Sequence, residues 1–386
     1  MIPYGRHQLT EEDINAVVDV LRHQHLTQGA QVPAFEAALA GYTGATHVCA
    51  VNSATSALHL VCLALGMGPG DVLWTSPLSF VASSNCALYC GAGVDFVDID
   101  PATLSISLPL LEEKLAQAHA RQQLPKALIT VHFAGLPTDM QLLHTLCQRY
   151  GIALIEDASH AVGADCHSAK VGECRWSDAA IFSFHPVKMI TTAEGGAVLT
   201  PHEWLDARVR KLRTHGIVKD AARVASGELP PWYYEQEALG FNYRLTDMQA
   251  ALGLSQLTRL DSILAERRRL AARYRQLLAD LPLTLAPVSA IEGTESSWHL
   301  YVIQLNDADR RLGLYQACQA AGIGVQIHYI PIYWQPYYQQ LGFSQGYCPQ
   351  VEEYYRRCLT LPLYVGLTDA EQDKVVAVIR AFFEHT

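Results

Sequence analysis

The chain has 386 residues, 50% of them hydrophobic, and a formal net charge of −10, which suits one large and one small domain with a sizeable core. The acidic balance excludes the basic face that nucleic-acid binding needs, and no run approaches the roughly 18 apolar residues of a membrane span. The opening MIPYGRHQLTEEDIN lacks the apolar core of a signal peptide, so a soluble, cytoplasmic protein is expected.

In chain order, Thr10-Glu11-Glu12-Asp13 reads as a helix start, with Ile14, Val17, Val18 and Leu21 then recurring on one face. A second helix opens near Val32. From there to about residue 200, strands at 71–74, 94–97, 127–131 and 152–155 alternate with helices around 53–66, 79–90, 108–120 and 138–150. Continuous apolar strands in a βαβ series mean a mainly parallel sheet with helices on both faces. Gly66-Met67-Gly68-Pro69-Gly70 precedes a strand, so it is a turn and not a dinucleotide loop. Residues 216–245 read as a long aromatic loop of the kind that makes contacts or carries function. Residues 246–279 are helix-rich with one break. Beyond about 295, strands at 300–303 and 325–327 mix with helices near 308–320 and 369–384. We divide the chain into a large domain over 1–250, whose first residues can pack on the small domain, and a small α+β domain over 251–386.

Ten cysteines without a CxxC pair and sixteen histidines without HExxH give no expected metal site; Cys86 and Cys90 read as small apolar residues.

Ligands of parallel sheets sit at the carboxyl ends of the strands, where three features would meet. Asn52 to Thr55 precede a helix, and the free N–H groups of such a terminus favour a phosphate, although an ordinary N-cap has the same pattern. The strand at 152–155 runs into Glu156 and Asp157. A buried carboxylate is costly unless a cation meets it, and a protonated pyridine nitrogen is such a cation; a helix cap is the plainer use. The third stretch, AIFSFHPVKMITTAEGGAVLT, puts a single Lys188 at the end of a hydrophobic strand, ahead of Gly195-Gly196. Desolvation lowers a lysine pKa and makes its amine nucleophilic toward a carbonyl, whereas a solvated lysine needs no such frame. Ser183, on the same strand, can reach a phosphate. Phe80 can stack on a flat ring or serve the core. Phosphate cradle, acid and lysine in that order suit pyridoxal 5′-phosphate (PLP).

The segments IPYGRHQLTEEDI, LTQGAQV, VNSATSALH, GAGVDFVDIDPATL, IEDASHAVGA, FSFHPVKMITTAEGGAVLT, FNYRLTDMQAALGLSQL and IHYIPIY resemble the DegT/DnrJ/EryC1/StrS nucleotide-sugar aminotransferases, over nearly the whole chain. The resemblance implies an α/β protein of PLP-dependent transferase fold type I (aspartate aminotransferase-like). In that fold a mainly parallel seven-stranded sheet flanked by helices is joined to a smaller α+β C-terminal domain. It implies that Lys188 forms the Schiff base, Asp157 pairs with the pyridine nitrogen, His160 lies near the ring hydroxyl and Phe80 stacks on the ring. By the same resemblance Ala54, Thr55 and Ser183 bind the phosphate, and Asn242 reaches the phosphate of a neighbouring subunit. A homodimer with shared active sites follows.

Within the family, SFHPVK, TVHFAG, PWYYEQEALGFNYRLTD and SWHLYVIQL are most similar to the enzymes of pseudaminic acid biosynthesis. Those aminate UDP-4-keto-6-deoxy-N-acetyl-β-L-altrosamine at the 4-position, converting L-glutamate to 2-oxoglutarate. Tyr4, His185, Tyr243 and His328 are then candidates for the sugar-nucleotide site. Three other readings stand beside this one. The ketosugar can be TDP- or GDP-linked. The chain can be a family dehydratase, against which Lys188 counts, because those relatives carry histidine there. It can also be a non-catalytic PLP-binding regulatory protein.

Overall fold

The computed structural model describes residues 1–384. Seven strands form the central sheet: β1 (His47–Val51), β2 (Val72–Thr75), β3 (Gly93–Phe96), β4 (Ala127–Val131), β5 (Ala153–Asp157), β6 (Ala179–Ser183) and β7 (Gly196–Thr200). Their order is β1-β7-β6-β5-β4-β2-β3. Every neighbouring pair is parallel except those of β7, which runs antiparallel to both β1 and β6. One edge therefore collects the carboxyl ends of the parallel strands and the amino end of β7. There Gly196 lies opposite both Val51 and Ser183, and Asp157 lies opposite Val131.

The apolar runs follow from burial on both faces. In β5, Leu154 joins the core on one side and Ile155 the core on the other; in β6, Phe182 and Ile181 divide in the same way. The helices that cover these faces include α1 (Glu11–His23), α2 (Gln31–Thr43), α3 (Ala54–Ala64), α4 (Ala82–Tyr89), α5 (Leu108–Ala120), α6 (Met140–Tyr150), α7 (Glu203–Arg213) and α8 (Asp247–Leu257). Thr10 and Asp13 close a capping box at the start of α1, the pattern the sequence showed.

The helix-rich stretch breaks at Thr258 and Arg259, before α9 (Leu260–Leu277). That helix serves two cores: Leu260, Ile263 and Leu264 pack in the sheet core, while Leu270, Ala271 and Tyr274 pack in the core of the C-terminal part. The latter contains β8 (Tyr301–Leu305), β9 (Cys358–Leu361) and α10 (Asp369–Glu384). The N-terminal segment lies against it: Gly324 donates to the Ile2 carbonyl at 2.7 Å and Leu363 to the Tyr4 carbonyl at 3.1 Å.

Two expectations are corrected. Residues 325–327 form no strand; only Gln326 bridges to Thr360, because Ile323 just before it pairs with Ile2 instead. The stretch 216–245 is not a plain loop. It holds a two-stranded ribbon, Ile217–Val218 with Glu235–Gln236, and a short helix, Ala221–Ala225. Trp232, Tyr234 and Leu239 stand exposed on it. Among the described residues no helix is long and apolar enough to cross a membrane.

Candidate active site

The sheet edge described above opens into a cavity of about 360 Å³, within the range of small-molecule sites. One end is the start of α3. Ser53 caps this helix, its hydroxyl accepting from the Ser56 amide at 3.1 Å. The amides of Ala54 and Thr55 find no acceptor among the described residues, as expected of a first helical turn. Gly196 makes this approach possible: a side chain there would put its Cβ 2.5 Å from the Ala54 nitrogen. Ser183, the last residue of β6, also lines this cavity, and its hydroxyl is unbonded among the described residues.

Glu156 and Asp157 point to opposite faces of β5 and are treated differently. Glu156 is matched: His132 Nδ1 accepts from the Thr138 amide, so its Nε2 donates to the Glu156 carboxylate at 2.7 Å, and Ser177 donates to the other oxygen. Asp157 has only neutral donors. Ser83 Oγ donates to Oδ2 at 2.6 Å and the Ser159 amide to Oδ1 at 3.2 Å, and no cation pairs with it among the described residues. A buried carboxylate lacking a counterion, on a cavity wall, is a ready partner for a cationic ligand.

Lys188 lies in a turn five residues beyond the end of β6, not on the strand as the sequence suggested. Its Nζ makes no hydrogen bond or ion pair among the described residues. Burial pulls the amine down to about 8, although the Asp157 carboxylate pulls it up. An amine so poised is largely neutral in mildly alkaline solution and free to attack a carbonyl.

Phe80 lines the same cavity with 60% of its surface exposed, so it is not the core residue that the pattern also allowed. His185 lines it too. His160 does so from a buried position, and desolvation and the charge on Lys188 push its imidazole well below the usual range.

The remaining sequence candidates stand elsewhere in this chain. Asn242 is exposed and outside the cavity, in the segment that ends the aromatic ribbon. Tyr243 stacks on Phe241 at 4.9 Å and lies near His59. His328 is bonded to Thr360 Oγ1 at 2.9 Å and has the Tyr4 ring 5.7 Å away, so both sit one layer behind the wall.

Sequence reasoning missed Tyr329. Its ring lines the cavity, and its hydroxyl lies 3.3 Å from His160 Nε2. No motif logic finds it, because it arrives from the C-terminal part. Just beyond it, the Ile332 amide donates to the Pro77 carbonyl at 3.1 Å, tying this segment to the loop that carries Phe80.

These features fit PLP: helix amides and a hydroxyl for the phosphate, an uncompensated carboxylate for the ring nitrogen, an aromatic face, and an unpartnered amine. Comparison with solved structures agrees. Helicobacter pylori PseC, an aminotransferase involved in pseudaminic acid biosynthesis, superimposes with a TM-score of 0.90 at 31% identity, covering 100% of both chains. Spr1654 of Streptococcus pneumoniae superimposes in its PMP form (TM-score 0.91, 29% identity, 100% of both chains) and its PLP form (0.89, 28%, 100% of this chain and 99% of that one). The fold and site define a PLP-dependent aminotransferase of fold type I.

A Campylobacter jejuni UDP-4-amino-4,6-dideoxy-N-acetyl-beta-L-altrosamine transaminase is 38% identical over 377 residues, 96% of this chain and 95% of that protein. The DegT/DnrJ/EryC1/StrS aminotransferase profile matches residues 7–380, and the chain belongs to that family. It is a sugar aminotransferase.

Proposed function

We propose that the chain moves the amino group of L-glutamate to the 4-keto carbon of a UDP-linked 4-keto-6-deoxy-N-acetylhexosamine, as in pseudaminic acid biosynthesis. The observation that carries the chemistry is the pairing, across one cavity, of an unpartnered desolvated lysine with a buried carboxylate that lacks a cation. The likeness to the Campylobacter transaminase and to PseC supports the sugar.

PLP, when bound, supplies the aldehyde that takes up the donor's amine and the ring that withdraws electrons. Lys188 Nζ holds the aldehyde between turnovers and, once free, moves the proton at the reacting carbon. Its low pKa makes it a base near neutral pH. Asp157 keeps the ring nitrogen protonated. Phe80 covers one face of the ring. The Ala54 and Thr55 amides and the Ser183 hydroxyl hold the phosphate. His185, at the exposed rim, meets the sugar nucleotide.

Asn242 and Tyr243 act across a homodimer, which accounts for their place outside the cavity of their own chain and for the exposed ribbon of Trp232, Tyr234 and Leu239. Tyr4 and His328 support the wall that the sugar meets.

Incubating purified protein with glutamate and the UDP-, TDP- and GDP-linked 4-ketosugars tests the proposal. A 4-amino sugar from the UDP substrate is expected; preference for another nucleotide would overturn the finer assignment. Borohydride reduction should fix the cofactor to Lys188, and a label on another residue would overturn its role.

A further inference from the structure

The hydrogen bonds around His160 point away from the role that its sequence position suggests. A backbone N–H can only donate, so His160 Nδ1, 3.3 Å from the Ala134 amide, accepts. The imidazole is neutral, because burial and the Lys188 charge oppose its protonation, and a neutral ring has one hydrogen. That hydrogen is on Nε2, which faces Tyr329 Oη at 3.3 Å. The ring is held in place. It packs on His299 with centroids 4.4 Å apart, and its own carbonyl receives Ser297 Oγ at 2.7 Å. Ala134 sits at φ 58°, a left-handed conformation uncommon for alanine, in the turn that aims its amide at Nδ1. Both nitrogens are committed, so His160 has no hydrogen left for a ligand.

Tyr329 has one. Its oxygen receives the imidazole hydrogen, and its own hydrogen has no acceptor among the described residues. It lines the cavity together with Asp157 and Lys188. Burial and the Asp157 charge push its phenol up, so the proton stays on oxygen.

We propose that Tyr329 donates the hydrogen bond to the ring oxygen of bound PLP, and that His160 is a positioning residue acting through Tyr329. This rests on the reading that Lys188 and Asp157 hold that cofactor. The ring oxygen is a phenol oxygen beside the aldehyde and carries negative charge, so a neutral hydroxyl meets it without burying another cation. No bond forms or breaks in this contact.

The test is a pH titration of the visible absorption of the holoenzyme for wild type, Tyr329→Phe and His160→Asn. Without its donor, the ring oxygen relies on the neighbouring proton and holds it more tightly. Tyr329→Phe should therefore raise the midpoint by about one pH unit, the size of one hydrogen bond to a charged group. His160→Asn should raise it by less. An unmoved midpoint in Tyr329→Phe overturns the proposal, as does a larger shift in His160→Asn. Should Tyr329→Phe not fold, Tyr329→Trp, which keeps a ring but removes the hydroxyl, takes its place with the same expected rise. A wild type with no visible band and no borohydride adduct at Lys188 overturns the cofactor reading itself, which an unmoved midpoint does not.

Discussion

The floor and the roof of the cavity are built on different principles. The floor is set by the sheet: Asp157, Ser183 and the start of α3 each sit at a strand end, and strand pairing fixes their spacing. The roof is a single tyrosine from the C-terminal part, held by side-chain contacts and one nearby main-chain hydrogen bond. A floor residue cannot shift without its strand, whereas a roof residue can adjust. Changes to the floor should therefore remove chemistry or cofactor, and changes to the roof should tune them.

The largest effect is expected at Lys188. Lys188→Ala should lower turnover by about four orders of magnitude and abolish borohydride labelling, measured by activity assay and peptide mass analysis. Asp157→Asn comes next. It keeps the shape but loses the charge, so kcat should fall roughly 10²–10³-fold with the fold intact by circular dichroism. A turnover near wild type would break the view that the floor supplies the electrostatics.

Gly196→Ala attacks the register itself. Its Cβ would meet the Ala54 nitrogen at 2.5 Å, pushing α3 away from the phosphate site. Stability should fall by about 1–3 kcal/mol in denaturant titration, and the PLP dissociation constant should rise.

The smallest effect is a pH dependence. Because burial lowers the Lys188 amine to about 8, capture of PLP by the apo-protein should accelerate as pH rises toward 8 and level off above it. An ordinary lysine would level off only near about 10.4. The same shift bears on stability. Between these two values the unfolded chain binds the extra proton, so the apo-protein should gain stability as pH rises through that window and lose it as pH falls.

The floor was legible in the sequence and the roof was not, for one reason. Acid, hydroxyl and capping residues that follow apolar runs mark strand ends, and parallel strands bring their ends together whatever the rest of the chain does. Asp157, Ser183, Phe80 and the Ala54-Thr55 turn could therefore be read directly. The position of Lys188 was read as a strand end because the apolar run seems to continue through Val187; the chain in fact leaves the sheet at Ser183 and turns. β1 and β7 were not read at all. Their short sequences carry no period that separates them from the neighbouring helices, and β7 owes its place to tertiary pairing with β1 and β6. Tyr329 is near none of the motif residues in sequence, and only the packing of the two parts brings it to His160.

The hydrogen bond from the Ile332 amide to the Pro77 carbonyl links the two walls of the cleft. One strip of chain bears Tyr329, the other Phe80, so the grip on the ring edge and the cover on the ring face are mechanically one latch. Exchange of that amide with deuterated solvent would then count the openings through which cofactor or product escapes.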